Sequence, residues 1–138
     1  MRNKKLSAFF QMDPFEKLNE GSDSTISIIR EGLKKNIKIW VGSPEQITFK
    51  KSEVITKGYE VLDDCLRKGK IEELEINKLD FFFIRQDPPF NLAYLTNCYL
   101  LELHKEFNKK PFFINDPTGI KNFTEKIFPM YYPNLIPQ

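Results

Sequence analysis

The stretch FFFIRQDPPFN, at residues 81–91, contains the most abrupt change of character in the sequence. Its first four residues are apolar, which is typical of a β-strand that is covered on both faces of a sheet. Arg85, Gln86 and Asp87 follow at once, and the two prolines after them cannot continue a central strand. The stretch therefore predicts a core strand that presents charged side chains where it ends.

Three other continuous apolar runs have the same character and complete a set of four predicted core strands. They are LSAFFQM at 6–12, IKIWVG at 37–42 and PFFIN at 111–115. The segments between the strands have apolar residues at helical spacing. The first helix is predicted to end at Asn36, the second to begin after Asn91, and a third to run from about Thr118 to Phe128. Strands that alternate with helices predict an open α/β sheet, in the spatial order second, first, third, fourth.

Residues 44–79 interrupt this alternation. They have no sustained helical stripe, and Gly58 and Gly69 punctuate them. The segment predicts one or two antiparallel hairpins, with a helical turn around Leu62 to Arg67.

The composition limits the function classes. The chain has 138 residues, which suits one domain, and a net charge of +2 with scattered lysine pairs, so nucleic acid is not an expected partner. A single histidine and two distant cysteines exclude a Cys/His metal site. No apolar stretch approaches the ~20 residues of a membrane span, and no signal peptide is recognisable. We therefore expect a cytoplasmic protein with no membrane partner.

The dipeptide Asp-Pro occurs three times, each time directly after a predicted strand. The three aspartates are Asp13, Asp87 and Asp116. An aspartate before proline can cap a helix, and this interpretation is strongest for Asp116, which precedes the third helix. Alternatively, the three corners hold polar groups around a ligand, because open α/β sheets bind ligands beyond the carboxyl ends of their strands where the strand order reverses.

Arg85 has two possible roles at that edge. A guanidinium group stays charged and forms paired hydrogen bonds with carboxylates. Arg85 could therefore form an internal ion pair with Asp13, Asp87 or Asp116, or it could hold the carboxylate of a ligand. A zwitterionic amino acid or peptide would suit an arginine surrounded by aspartates.

No complete catalytic apparatus is predicted from these residues. The six glycines form neither a dinucleotide fingerprint nor a phosphate loop. The single histidine, His104, lies within a predicted helix, without a convincing nucleophile partner.

Five segments occur in the order and spacing of the N-terminal domain of bacterial glutathione synthetases, which the chain resembles. They are QMDP at 11–14, SDST at 22–25, IRQDPPFNLAYL at 84–95, NDPTGIKNFTEKIF at 115–128 and YPNLIP at 132–137. The resemblance implies an open, mainly parallel, Rossmann-like sheet of the type that precedes an ATP-grasp domain, with residues 44–79 as an antiparallel hairpin extension. It implies a substrate-binding domain at 1–128, and at 129–138 the start of a connection to an ATP-grasp domain that this sequence lacks.

The same resemblance implies the chemistry of the whole enzyme. These ligases join γ-glutamylcysteine to glycine with ATP and magnesium, through an acyl phosphate. The ATP-grasp domain mainly holds nucleotide and metal, so this segment alone is expected to bind neither and to be inactive. Asp13, Arg85, Asp87 and Asn115 are the residues expected nearest the peptide substrate, and none of them is expected to be catalytic.

Two alternatives stay open on sequence alone. The chain could be the N-terminal domain of another ATP-grasp carboxylate–amine ligase, or a free-standing, non-catalytic α/β binding module. A homo-oligomer is compatible with all three readings.

Overall fold

The computed structural model describes residues 4–136, which contain one mixed sheet of seven strands. The strands are β1 (Ser7–Gln11), β2 (Lys38–Gly42), β3 (Thr48–Lys50), β4 (Glu53–Val61), β5 (Lys68–Glu75), β6 (Phe81–Ile84) and β7 (Phe112–Ile114). The α-helices are α1 (Ser24–Lys34), α2 (Leu92–Phe107) and α3 (Pro117–Asn122). The first three residues of the predicted domain, and the last two of the predicted connection, lie outside the described residues. No helix within residues 4–136 is long and apolar enough to cross a membrane.

The four predicted core strands correspond to β1, β2, β6 and β7, and they pair in parallel. Coverage on both faces is wrong for β7, which lies at the edge of the sheet with Phe112 67% exposed. Their order in the sheet is β2-β1-β6-β7, as predicted. The strand order reverses between β1 and β6, because the chain moves outward from β1 in one direction and later returns to its other side. The carboxyl ends of β1 and β6 are therefore neighbours, which confirms the predicted α/β fold and the place of its topological switch.

Alternate residues of β1 enter two separate cores. Phe10 packs with Ile26 and Ile29 of α1, whereas Phe9 packs with Leu101 of α2 on the other face of the sheet. The rings of β1 also stack on those of β6 in register, with centroids 5.0 Å apart for Phe9 and Phe82. Burying these aromatic side chains stabilises the pairing of the two central strands.

The predicted helix boundaries at both crossovers are confirmed. Asp23 caps α1, because its side chain accepts the backbone N–H of Ile26 at 3.0 Å. Asn36 follows the helix with a φ of 58°, the left-handed conformation predicted for it. Asn91 caps α2 by accepting the N–H of Tyr94 at 3.0 Å.

Residues 44–79 form the antiparallel part of the sheet. β4 pairs with β3 and β5 and also with β2, so that the predicted hairpins extend the same sheet. Gly42 and Gly58 make this contact possible, since an added Cβ would lie 2.7 Å and 2.6 Å from ring atoms of Phe9. The predicted helical turn around Leu62 to Arg67 is wrong. Leu66 has a φ of 61°, which closes a hairpin turn instead of continuing a helical one.

The third helix is shorter than predicted. It ends at Asn122, because Phe123 leaves the helical region with a φ of −124° and a ψ of 71°. Beyond it, Phe123 packs edge-on against Phe128 at a centroid distance of 4.7 Å, so the chain folds back on itself. Short 3₁₀ turns at Phe128–Tyr131 and Pro133–Leu135 complete the described residues.

Candidate functional site

A cleft of about 810 Å³ lies beyond the carboxyl ends of β6 and β7. One wall is the β6 tip and the start of α2, and the other is α3 with the segment that follows it. Its polar lining includes Arg85, Gln86, Asp87, Tyr94, Asn115 and Glu125. Three of the four predicted site residues, namely Arg85, Asp87 and Asn115, are thus brought together along this cleft.

Asp13, the fourth predicted residue, does not line this cleft. It borders a smaller cavity of about 160 Å³ on the hairpin side of the sheet. Its carboxylate nevertheless reaches the tip of β6, where Oδ2 accepts the backbone N–H of Asp87 at 2.8 Å. Asp13 therefore holds the backbone of a cleft residue and does not face the cleft with its own side chain.

The side chain of Arg85 turns towards the start of α1. Its Nε donates to Thr25 Oγ1 at 3.0 Å, and Nη2 donates to Ser24 Oγ at 2.8 Å. Within residues 4–136, no carboxylate oxygen lies within 4.0 Å of this guanidinium. The predicted internal ion pair with an aspartate is therefore wrong, because hydroxyl groups have taken the place of the carboxylate.

This arrangement places positive charge between the β6 tip and the start of α1. A helix N-terminus carries a partial positive charge, and here a guanidinium group lies directly beside it. The carboxylate of Asp23 already caps this helix N-terminus, so Arg85 is the positive group that has only hydroxyl partners. The geometry is thus suited to a carboxylate or a phosphate group that approaches Arg85 from the cleft.

Tyr94 is a cleft residue that sequence reasoning missed. Its ring packs against Phe90 with centroids 4.8 Å apart. Burial raises the pKa of the Tyr94 hydroxyl to about 12, so the group stays a neutral hydrogen-bond donor at physiological pH. The signal was available, because Tyr94 is the third helical residue after the Asn91 cap and must lie beside the strand tip.

Asp116 has the structural role that was predicted for it. Its Oδ1 accepts the N–H of Thr118 at 2.8 Å, which caps α3, and Oδ2 pairs with Lys105 at 2.5 Å. Burial alone would raise the pKa of Asp116, but these hydrogen bonds outweigh it and hold the pKa below its usual value. Asn115, which precedes it, is exposed at the cleft.

Possible metal ligands come together at one place in the described residues. Among residues 4–136, the one group of three possible metal ligands is Asp63, Asp64 and Cys65, on the hairpin turn between β4 and β5. That group lies in an exposed turn, and Asp63 is already paired with Arg67. Cys98 is buried, and burial raises the pKa of its thiol to about 11, so the free thiol stays protonated at neutral pH.

Comparison with known proteins agrees with this architecture. Residues 6–121 match the family described as "Prokaryotic glutathione synthetase, N-terminal domain". The chain belongs to this family. It is 32% identical over 138 residues to the glutathione synthetase of Bradyrhizobium diazoefficiens, a match that covers 96% of this chain and 43% of the relative.

Two further glutathione synthetases are similar over the same part. The relative from Anaplasma centrale is 31% identical over 134 residues, with 96% of this chain and 41% of the relative covered. The relative from Rhodopseudomonas palustris is 29% identical over 137 residues, with 96% and 43% covered. The chain thus spans about two-fifths of the length of the curated relatives it matches. All four predicted site residues fall inside the part that matches the glutathione synthetase N-terminal domain.

Proposed function

We propose that this chain supplies the peptide-binding cleft of a glutathione synthetase. The whole protein would join γ-glutamylcysteine to glycine with ATP, through an acyl phosphate of the peptide. Membership of the family supports the reaction, and the cleft beyond the carboxyl ends of β6 and β7 supports the role of this part. Residues 1–128 would be the substrate-binding domain, and residues 129–138 would begin the connection to an ATP-grasp domain.

The observation that carries this proposal is the set of hydrogen-bond partners of Arg85, which are hydroxyl groups and not carboxylates. Arg85 lines the cleft, and its guanidinium lies beside the N-terminus of α1, with hydroxyl partners where a carboxylate would bind more strongly. A carboxylate of γ-glutamylcysteine that reaches Arg85 would neutralise the guanidinium, which has no carboxylate partner among the described residues. Asp87 lies two residues further along the same wall and would attract the α-ammonium group of the same peptide.

Neutral groups would complete the recognition of the peptide. The Tyr94 hydroxyl donates a hydrogen bond without adding charge, and the Asn115 amide can both donate and accept. These groups suit the amide bond that γ-glutamylcysteine contains. This chain's residues would therefore bind and orient the peptide, while its reacting carboxylate is activated elsewhere in the protein.

ATP and Mg²⁺ would be held mainly by the ATP-grasp domain. The described residues offer no phosphate-binding loop and no buried group of acidic ligands, so the present chain does not fit either one alone. We expect the 138-residue chain by itself to bind the peptide weakly and to have no ligase activity.

A chimera tests the proposal directly. This chain would replace the matching part of the B. diazoefficiens glutathione synthetase, and glutathione formation would be followed with γ-glutamylcysteine, glycine and Mg-ATP. The variant Arg85→Lys should lower kcat/KM for γ-glutamylcysteine by roughly 10- to 100-fold, because an ammonium group cannot form paired planar hydrogen bonds with a carboxylate. The matched control is Arg30→Lys, since Arg30 binds Glu20 at the surface away from the cleft.

The outcomes separate the alternatives. A chimera that melts cooperatively but acts on a different acid–amine pair would identify another carboxylate–amine ligase. A folded chimera that binds Mg-ATP but uses no peptide would favour a non-catalytic module. If Arg85→Lys lowers the melting temperature and leaves kcat/KM unchanged, Arg85 is structural and the proposed cleft chemistry is wrong.

A further inference from the structure

Three side-chain amides form a buried cluster beneath the tip of β6. We define this amide cluster as Gln11, Gln86 and Asn97. Gln11 Nε2 donates to Gln86 Oε1 at 2.7 Å and to Asn97 Oδ1 at 2.6 Å. Gln11 is 0% exposed and Asn97 is 4% exposed, so the bond between them is buried, whereas the bond to Gln86 is partly buried. Asn97 Nδ2 in turn donates to the carbonyl of Pro44, at 3.3 Å, on the loop after β2.

The amide cluster is a poor way to stabilise a core. Within the described residues, Gln11 Oε1 and Gln86 Nε2 are buried without any hydrogen-bond partner. A buried polar atom that has lost its water partners destabilises the folded state, whereas apolar side chains of similar shape would pack there without that cost. Stability therefore does not account for three amides at this place, and a positional role does.

The contacts of Gln11 show what is being positioned. Its backbone carbonyl accepts the N–H of Arg85 at 2.8 Å, and its side chain holds Gln86, the next residue. Gln86 is thereby held on the α2 side of the sheet, while Arg85 reaches Thr25 on the α1 side. One further residue along, Asp87 is held by Asp13. The end of β1 thus fixes three successive residues of the β6 tip.

We propose that Gln11 is a positioning residue, which keeps Arg85 against its partners at the start of α1 by holding Gln86 on the opposite face of the sheet. If the bond to Gln86 is lost, the segment 85–87 can rotate about its extended backbone, and Arg85 can leave its partners at the start of α1. The inference rests on the proposed function only for what Arg85 binds. The geometry itself can be tested without a ligand.

Hydrogen exchange of the 138-residue chain provides that test. In the variant Gln11→Met, which keeps the shape and removes the amide, we expect the Arg85 Nε–H and the Asp87 amide to exchange at least about tenfold faster by NMR. The matched control Asn97→Leu removes the other hydrogen bond of Gln11 and leaves the bond to Gln86. It should change both rates by less than about twofold relative to core amides such as that of Phe82.

The outcomes decide between a positional and a structural role. Equal acceleration in both variants, or in neither, would overturn the proposal, because the amide cluster would then act only through overall stability. If Gln11→Met does not fold, Gln86→Met breaks the same bond from the other side and must accelerate the same two protons. In the chimera, Gln11→Met should raise KM for γ-glutamylcysteine about tenfold with kcat nearly unchanged. Acceleration of exchange without that change in KM would leave the positioning intact and would overturn the substrate role of Arg85.

Discussion

Phe9 lies so close to Gly58 that a glycine-to-alanine substitution should destabilise the protein there. The same substitution at Gly119, where an added Cβ makes only an ordinary contact, should stabilise the protein. At Gly58, an added Cβ would lie 2.6 Å from Phe9 Cε2 and 2.9 Å from the carbonyl oxygen of Val41. Phe9 cannot move aside, since it is 0% exposed and stacks on Phe82. Neither can the carbonyl, because it belongs to the strand β2 with which β4 pairs.

We therefore expect Gly58→Ala to lower the free energy of unfolding by about 2–3 kcal/mol, the usual cost of overpacking a rigid core. In a chain of this size, that corresponds to a fall of roughly 6–12 °C in the melting temperature. Gly119 is the matched control, because the nearest atom to its added Cβ is Asp116 Cβ, at an ordinary 3.8 Å. It lies within α3, so Gly119→Ala should raise stability by about 0.5–1 kcal/mol.

Circular dichroism melts of the 138-residue chain and the two variants would measure both effects. The reasoning depends on a difference in sign and not only on a difference in size. If Gly58→Ala unfolds within about 1 °C of the unsubstituted chain, the close approach of Phe9 to β4 is wrong. The placement of the whole hairpin extension beside β2 would then be wrong as well.

Two further predictions concern Asp13 and His104. Because Asp13 accepts the N–H of Asp87, Asp13→Ala should lower stability by about 1 kcal/mol, whereas Asp13→Asn keeps an acceptor and should lose less than half of that in the same melts; equal losses would contradict the assigned hydrogen bond. Burial lowers the pKa of His104 in the folded chain, so the unfolded chain takes up a proton first as the pH falls below about 6.5. The stability that neutral His104 contributes is therefore complete above that pH and is lost below it, by at most about 1.4 kcal/mol at pH 5.5. His104 is the only histidine, so His104→Gln should remove this slope from melts between pH 7.5 and 5.5, and a slope that persists would assign it to another group.

The parallel half of the sheet was predictable because strands that are covered on both faces have continuous apolar runs in the sequence. A run such as FFFI has no polar face, which favours a central strand, as β6 is. The apolar run of β7 has the same pattern and nevertheless lies at the edge of the sheet. The helix caps Asn36 and Asn91 were also readable, since both depend on local hydrogen bonding and backbone conformation. The prediction of Asp116 as a cap succeeded for the same reason.

The remaining features depend on tertiary contacts that no local pattern specifies. The position of β4 beside β2 is set by the fit of one ring over two glycines, which are distant in sequence from Phe9. Arg85 could satisfy its charge in several ways, and the choice of Ser24 and Thr25 follows from where α1 begins in space. That three of the four predicted site residues share one cleft is a finding of the structure, and their contact with substrate stays a prediction.

The in-register pairing of β1 with β6 restricts how these genes can change length. Phe9 lies opposite Phe82, Phe10 opposite Phe83, and Gln11 opposite Ile84, and successive residues enter opposite cores. One residue inserted or deleted within β1 would turn every β1 side chain beyond that point to the opposite face of the sheet, and so into the other core. Lineages of this domain should therefore accept insertions and deletions in the hairpin turns, while β1 keeps a fixed number of residues.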